Sequence, residues 1–123
     1  MILVDTSVWV DHLRAGDAGL VTLLQDGGVA GHPWVTGELS LGSLANRGEV
    51  VRLLGALAQG EVASPAEIAV LVSAERLHGL GIGYVDAGLL ASARLTPGWT
   101  LWTRDIRLRA VARRLGLHHD PSG

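Results

Sequence analysis

Two residue types are missing from this chain, and each absence removes a class of chemistry. The 123 residues include no cysteine, which excludes disulfides, thiolate catalysis and zinc sites that need sulfur. They also include no lysine, because all ten basic residues are arginine, so phosphate-loop and Schiff-base enzymes that rely on lysine are excluded. Any reaction must therefore use carboxylates, histidines, hydroxyls or arginines.

Phenylalanine is absent too, although 48% of the residues are hydrophobic. The length and this apolar content predict one domain over residues 1–123, with an aliphatic core and the four tryptophans as its bulky parts. The net charge of -2 argues against binding of nucleic acid over most of the protein surface, because the affinity of proteins for nucleic acid depends mainly on basic residues. A local basic patch is compatible with this net charge.

The sequence shows no sign of a membrane segment or an export signal. No uninterrupted apolar stretch approaches the ~20 residues that span a bilayer, and the N-terminus MILVD lacks a basic segment followed by an apolar run. We therefore expect a cytoplasmic protein without membrane contact.

Short apolar runs alternate with stretches of helical periodicity along the whole chain. This alternation predicts a parallel sheet flanked by helices, the α/β class. The predicted strands are residues 1–4, 29–30, near 62 and 99–103, and the predicted helices are 8–14, 17–25, 33–44, 49–58, 65–78, 84–95 and 104–115.

Two aspartates follow predicted strands directly. Asp5 comes after the first strand, and Asp105 comes after the last with one residue between. Sites in open parallel sheets form beyond the carboxyl ends of the strands, so both positions favour function. The alternative is that each aspartate simply caps the next helix.

Two further acids fall among apolar residues at helical spacing. Glu38 lies between Val35 and Leu41, and Asp86 precedes Leu89 by three positions. An unpaired carboxylate on an apolar face is costly, so each should be protonated, paired with an arginine or bound to a metal. Glu75 shows the same pattern, so this argument alone cannot define a site.

Four carboxylates brought together would repel one another unless a divalent cation neutralised them. Oxygen ligands that stay partly open to water suit Mg²⁺ or Mn²⁺ better than Zn²⁺. Such an ion can activate water and stabilise charge on a phosphoryl group, and neither step needs lysine or cysteine. The residues thus favour phosphodiester hydrolysis.

Four segments, spread over nearly the whole chain, together resemble the PIN-domain nucleases and, among them, the VapC toxins of toxin-antitoxin modules. They are MILVDTSVWVDHL, the GEL around Glu38, GIGYVDAGLLASA around Asp86, and LWTRDIRLRAVARRLGL around Asp105. The resemblance implies a three-layer α/β/α fold around a parallel sheet. It also implies a metal-dependent endoribonuclease that cuts structured RNA such as tRNA or rRNA.

The resemblance further implies roles for individual residues and partners. Asp5, Glu38, Asp86 and Asp105 would be the catalytic acids that hold Mg²⁺ or Mn²⁺. Ser7 and Thr103 occupy positions where the family often has hydroxyls near the metal, although a helix cap or a strand-end hydrogen bond explains them equally well. A homodimer and a cognate VapB-like antitoxin are the implied partners.

The basic residues concentrate at the C-terminal end, where six of the ten arginines lie in the last thirty positions. Arg104 and Arg107 are the predicted RNA contacts because they flank Asp105. The alternative is an ordinary solvated helix face. We interpret His118 and His119 as a surface tail, since adjacent side chains point in different directions.

Two other functions remain as alternatives. A metal-dependent phosphatase of the haloacid dehalogenase type also begins with a strand followed by Asp, but it needs a second Asp two positions later, where this chain has Ser7, and normally a lysine. A non-catalytic α/β binding module would use the acids only for structure.

Overall fold

The computed structural model describes residues 1–121, and its centre is a four-stranded parallel sheet in the order β3-β2-β1-β4. The strands are β1 (Ile2–Val4), β2 (Val29–Gly31), β3 (Ala58–Gln59) and β4 (Thr100–Trp102). Strand β1 lies between β2 and β4, and its residue Val4 is in register with Trp102. The parallel sheet predicted from the sequence is confirmed.

Seven helices in residues 1–121 pack around the sheet in three α/β/α layers, as predicted. They are α1 (Thr6–Ala15), α2 (Ala18–Gln25), α3 (Pro33–Ser40), α4 (Arg47–Ala56), α5 (Pro65–Ala74), α6 (Tyr84–Leu95) and α7 (Ile106–Arg114). In this part of the chain, none of the helices has both the length and the apolar character needed to cross a membrane.

The core is aliphatic, as the absence of phenylalanine predicts. Leu3 and Leu101 of the two central strands are buried, and Leu89 and Leu90 of α6 are buried with them. The burial is nearly continuous along α6 from Ala87 to Ala93, so this helix is covered on most sides. Asp86 therefore sits at the first turn of the most deeply buried helix.

Several element boundaries differ from the sequence prediction. Helix α3 ends at Ser40 rather than near Leu44, because Leu41 turns out of the helix and is 89% exposed. Helix α5 ends at Ala74 rather than at His78. The strand expected near Val62 is wrong: the edge strand is Ala58–Gln59, which pairs with β2.

The chain after α7 is not the surface tail that we expected. Leu101 of β4 donates its backbone N–H to Leu117 and accepts a hydrogen bond from His119 N, and it forms a parallel bridge with His118. The ring of His119 packs on Trp102 at 5.5 Å between centroids. Both histidines are therefore fixed against the edge of the sheet.

Candidate active site

The carboxyl ends of β1 and β4 bring Asp5 and Asp105 to one edge of the sheet. The two strands are parallel neighbours, and Asp5 N donates to the carbonyl of Trp102 at 2.9 Å. Helices α1 and α7 begin directly after the two aspartates. Both acids also cap these helices, Asp5 through Ser7 N and Asp105 through Leu108 N. The capping alternative is therefore confirmed, and capping leaves one carboxylate oxygen of each acid without a helix-cap bond.

Asp5 is held by two hydroxyl groups at the strand ends. Ser7 Oγ donates to Asp5 Oδ2 at 2.6 Å, and Thr103 Oγ1 donates to the same oxygen at 2.8 Å. The hydroxyl oxygens in turn accept backbone N–H groups, from Arg104 to Ser7 at 3.0 Å and from Asp105 to Thr103 at 3.1 Å. This network fixes the orientation of the Asp5 carboxylate, which is 6% exposed.

Asp86 lies in the first turn of α6, where its Oδ2 accepts Gly83 N at 3.1 Å. Burial is the main reason that the pKa of Asp86 is raised above its ordinary value. The charges of Asp5, Asp105 and Glu38 raise the same pKa further. The structure thus brings the four predicted acids into one shared electrostatic environment.

Glu38 reaches this environment by a different route from the one that we expected. The prediction of a core-facing position is wrong, because Glu38 is exposed and Leu41, one of the apolar residues in the pattern, faces solvent beyond the helix end. Thr6 Oγ1, at the start of α1, donates to Glu38 Oε1 at 2.8 Å. Glu38 is therefore at the solvent-facing side of the acidic group.

In each of the four acids, one carboxylate oxygen is hydrogen-bonded and the other is left open. The bonded atoms are Asp5 Oδ2, Glu38 Oε1, Asp86 Oδ2 and Asp105 Oδ1. Within residues 1–121, no hydrogen bond from a side chain or a helix cap reaches the second oxygen of any of them.

The alternative in which arginines neutralise these acids is wrong for the described residues. The ion pairs there are Arg52–Glu49, Arg94–Glu75, Arg104–Asp11 and Arg104–Asp17. Glu75, which resembled the site acids in sequence, is the acid that has a salt bridge, at 2.9 Å to Arg94. Within residues 1–121, no arginine or histidine forms an ion pair with Asp5, Glu38, Asp86 or Asp105, which we call the acidic quartet.

The donor set of the quartet fits a hard divalent cation. It consists of carboxylate oxygens only, each with a free lone-pair site, and Mg²⁺ and Mn²⁺ prefer such ligands. Across residues 1–121, however, no three acidic or histidine side chains already converge within reach of one ion. The carboxylates interact electrostatically but do not converge on one point, because like charges without a cation between them repel one another.

The two arginines predicted to contact RNA have different environments. Arg104 forms ion pairs with Asp11 at 2.7 Å and with Asp17, and its guanidinium lies 5.7 Å from the ring centroid of Trp102. The hydrogen bonds that Arg104 donates to Asp11 and Asp17 raise the pKa of Arg104. Arg107 is exposed on α7 and lies against Gly81.

Sequence reasoning missed three residues that support the site. Thr6 orients Glu38, and Asp11 and Asp17 hold Arg104. The sequence signal that could have identified Thr6 is its position in the segment DTS, directly after β1. Nothing in the sequence connects Arg104 with acids more than eighty positions away.

The comparison with protein families identifies the class of this fold and site. The model of the PIN domain matches residues 2–114, so the chain belongs to the PIN-domain family. Within that family it belongs to the VapC group: it is 51% identical over 117 residues to Ribonuclease VapC32 of Mycobacterium tuberculosis, in strains CDC 1551 / Oshkosh and ATCC 25618 / H37Rv, covering 95% of this chain and 94% of each relative.

A solved structure supports the fold independently. The crystal structure of FitAcB from Neisseria gonorrhoeae aligns with a TM-score of 0.66 at 23% sequence identity, over 99% of each chain. At this identity the likeness shows the shared fold.

Proposed function

We propose that this chain is an endoribonuclease that cuts RNA with Mg²⁺ or Mn²⁺ held by Asp5, Glu38, Asp86 and Asp105. The observation that carries the proposal is that the neighbouring parallel strands β1 and β4 end at Asp5 and Asp105, with Asp86 and Glu38 near enough to interact with them electrostatically. Carboxylates grouped in this way, without an arginine partner in residues 1–121, suit a divalent cation. The name of the VapC32 relatives, ribonuclease, supports the same reaction.

The chain's own residues would position the reacting groups. Asp5, Glu38, Asp86 and Asp105 would hold a divalent ion, and that ion would supply activation of water and neutralisation of charge on the phosphoryl group. Ser7 and Thr103 fix Asp5 in one orientation, Gly83 N fixes Asp86 and Thr6 fixes Glu38. Each bond holds one carboxylate oxygen and so restricts the side chain to few rotamers. The other oxygen would then be available to the ion in a fixed orientation.

Structured RNA such as tRNA or rRNA is the proposed substrate, with Arg107 as a phosphate contact. Arg107 is exposed, belongs to no ion pair in residues 1–121 and lies two positions after Asp105. Arg104 would have to leave both Asp11 and Asp17 to bind a phosphate. We therefore assign Arg104 to the link between β4, α1 and α2.

Membership of the VapC group is the basis for the proposed partners, a VapB-like antitoxin and a second copy of the chain, and for a cytoplasmic location. An apolar cavity of about 260 Å³ between α1, α2 and α4, lined by Trp9, Leu24 and the 52% exposed Leu53 among others, supports a protein partner. Burying such surface is favourable by roughly 25 cal/mol per Å².

The test is cleavage of a total RNA pool by the purified chain. We expect cleavage with Mn²⁺ or Mg²⁺ and none with EDTA. The variants Asp5→Asn and Asp86→Asn should lose roughly 100-fold or more in rate, since each removes a charged ligand that a metal site needs. Glu61→Gln, which removes an exposed acid outside the site, is the matched control and should cleave normally.

Two results would contradict the proposal. Cleavage by Asp5→Asn at the wild-type rate in excess chelator would show that the acids hold no essential metal. Release of phosphate from a phosphomonoester, without cleavage of RNA, would favour the phosphatase alternative instead.

A further inference from the structure

A polar cavity lies beside β4, on the side away from β1, and the proposed mechanism does not use it. Its volume is about 270 Å³, and it is formed between the end of β4, the helix α7 and the segment that follows α7. Its lining residues include Arg109 and Arg113 of α7 together with His118, His119 and Asp120. Thr103 and Arg104 also line it, so the cavity adjoins the acidic quartet.

The cavity has an excess of positive charge. Arg109 and Arg113 are exposed, one helical turn apart, and neither belongs to an ion pair found in the described part of the chain. Asp120 is the acid that lines the cavity, and it has an interaction of its own. Burial lowers the pKa of His119, so at neutral pH this imidazole serves as a neutral hydrogen-bonding group.

An unsatisfied polar atom is present in the same place. His118 lines the cavity, and its Nδ1 is buried without a hydrogen-bond partner among residues 1–121. A buried polar atom left unpaired costs about 1–3 kcal/mol, so such groups are nearly always satisfied by protein, water or ligand. Nδ1 has almost no accessible surface, so an oxygen of a bound anion or water would reach it only after the His118 ring turns.

The position of the arginines relative to Asp105 indicates which anion fits. Arg109 N donates to the Asp105 carbonyl at 2.9 Å, and four residues of helix advance about 6 Å along the axis. Arg113 is a further ~6 Å along the same helix. The two arginines therefore lie at increasing distances from the acidic quartet. Their spacing along the helix suits successive phosphates of a single nucleic acid strand.

We propose that this cavity, called here the α7 phosphate site (Arg109, Arg113, His118 and His119), binds a backbone phosphate of the RNA strand that enters the acidic quartet. The inference rests on the proposed nuclease function and adds to it a place for the strand beside the cut. The arginines supply charge and the imidazoles supply hydrogen bonds, so the site recognises the backbone and not the base sequence.

The test is RNA binding in the absence of cleavage. The probe is a fluorescein-labelled single-stranded 12-mer RNA of mixed sequence, with binding followed by fluorescence anisotropy in EDTA between 50 and 300 mM KCl. The variant Arg109→Gln/Arg113→Gln is compared with Arg52→Gln/Arg76→Gln, which removes the same number of charges from exposed positions outside the cavity. Thermal unfolding of both variants checks that each is folded.

We expect the Kd of the α7 variant to rise about tenfold, while the control changes less than twofold. The slope of log Kd against log salt concentration should fall by about 0.7 for each phosphate that the variant no longer binds. With Mn²⁺ present, the α7 variant should show a raised KM and an unchanged kcat, because the arginines bind the strand outside the reacting group.

Equal Kd values and salt slopes for the two double variants would overturn the α7 phosphate site. This result is distinct from failure of the proposed function. If wild type binds RNA through the arginines of α7 and cuts none with Mn²⁺, the nuclease proposal fails and the phosphate site stands. If wild type cuts RNA and the α7 variant binds and cuts identically, the phosphate site alone is wrong.

Discussion

The Asp5 carboxylate is oriented by two hydroxyl groups that donate to the same oxygen. Ser7 and Thr103 each have a single hydroxyl proton, and both protons are donated to Asp5 Oδ2. The hydroxyl oxygens then accept the backbone N–H groups of Arg104 and Asp105. We therefore expect Ser7 and Thr103, which the family resemblance placed near the metal, to act on the site through Asp5.

We expect Thr103→Val to lower the rate of metal-dependent RNA cleavage by roughly 10- to 100-fold, the usual effect of removing a residue that orients a metal ligand. The variant keeps the shape of the side chain but leaves Asp105 N and Asp5 without their partner. Thr103→Ser, which keeps the hydroxyl, is the control and should restore most of the rate. Equal rates for the two variants would show that the hydroxyl has no role.

Arg104 is either a structural link or a phosphate contact, and the two roles predict different effects of one substitution on RNA affinity. Asp11→Asn removes one of its ion-pair partners and leaves Asp17. Because both Arg104 and Asp11 are partly exposed, we expect a loss of only about 0.5–1 kcal/mol in the free energy of unfolding, with RNA affinity within twofold of wild type. Tighter RNA binding by Asp11→Asn would instead identify Arg104 as a phosphate contact, released by the substitution. Anisotropy and urea denaturation measure the two quantities.

At the scale of elements, the ring of Trp34 in α3 packs directly on the backbone of Gly88 in α6. A Cβ added at Gly88 of α6 would lie 2.1 Å from Trp34 Cζ3. The Trp34 ring is held by stacking on Tyr84 and by the edge of His32, so it cannot move freely. Only glycine at position 88 leaves room for the Trp34 ring at this place on α6.

We expect Gly88→Ala to destabilise the protein by about 1–3 kcal/mol, because overlap with a fixed ring exceeds the gain in helix propensity. The control is Gly37→Ala in α3, where an added Cβ meets nothing within 4 Å; this change should be neutral or stabilise by up to about 1 kcal/mol. Urea unfolding of both variants measures the difference. Equal effects would contradict the packing argument.

The start of α3 depends on a buried histidine. Nδ1 of His32 accepts Trp34 N at 3.0 Å, which leaves the ring proton on Nε2, 3.2 Å from Ser92 Oγ. Burial lowers the pKa of His32. Protonation would turn the accepting Nδ1 into a donor and remove the cap of the helix that bears Glu38.

A lowered pKa of His32 in the folded state fixes the sign of a pH effect. An unfolded histidine titrates near pH 6.5, so below that value the unfolded chain binds more protons than the folded one. This contribution to stability is complete above about pH 6.5 and is lost as the pH falls, by at most ~1.4 kcal/mol per pH unit for one proton.

Urea denaturation between pH 5 and 8 in EDTA should show this loss in wild type and a smaller loss in His32→Asn, which keeps a cap acceptor. Part of the slope should remain, since burial also lowers the pKa of His119. An unchanged slope in the variant would assign the whole effect to other groups.

For the whole molecule, the parts that could be predicted from the sequence are those set by local pattern. The apolar runs of β1 and β4 and the acids that follow them placed Asp5 and Asp105 correctly, because the ends of neighbouring parallel strands meet at one edge. The edge strand Ala58–Gln59 and the pairing of His118 with β4 were missed, since short edge pairings depend on tertiary contacts that leave no periodicity. The family resemblance identified Glu38 as a candidate site residue, while the prediction that its helix face points into the core was wrong.

The coupled carboxylates lead us to expect that divalent cations stabilise the whole chain. Without metal, the charges of Asp5, Glu38 and Asp105 oppose ionisation of Asp86, and this repulsion exists only in the folded state. A cation that binds the folded chain alone stabilises it by RT ln(1 + [M]/Kd), about 2.7 kcal/mol at a hundredfold excess over Kd. We therefore expect Mn²⁺ to raise the thermal midpoint of wild type by several degrees relative to EDTA, and K⁺ at equal ionic strength to have a smaller effect.

Asp5→Asn/Asp86→Asn is the variant that isolates the cause of this shift. It removes two of the four charges, so its midpoint in EDTA should match or exceed that of wild type, whereas the increase with Mn²⁺ should disappear. Scanning calorimetry or fluorescence melts over a Mn²⁺ series give both quantities. An equal Mn²⁺ shift in this variant would place the bound ion elsewhere on the chain, and the four acids would then lose the role that connects this fold to RNA cleavage.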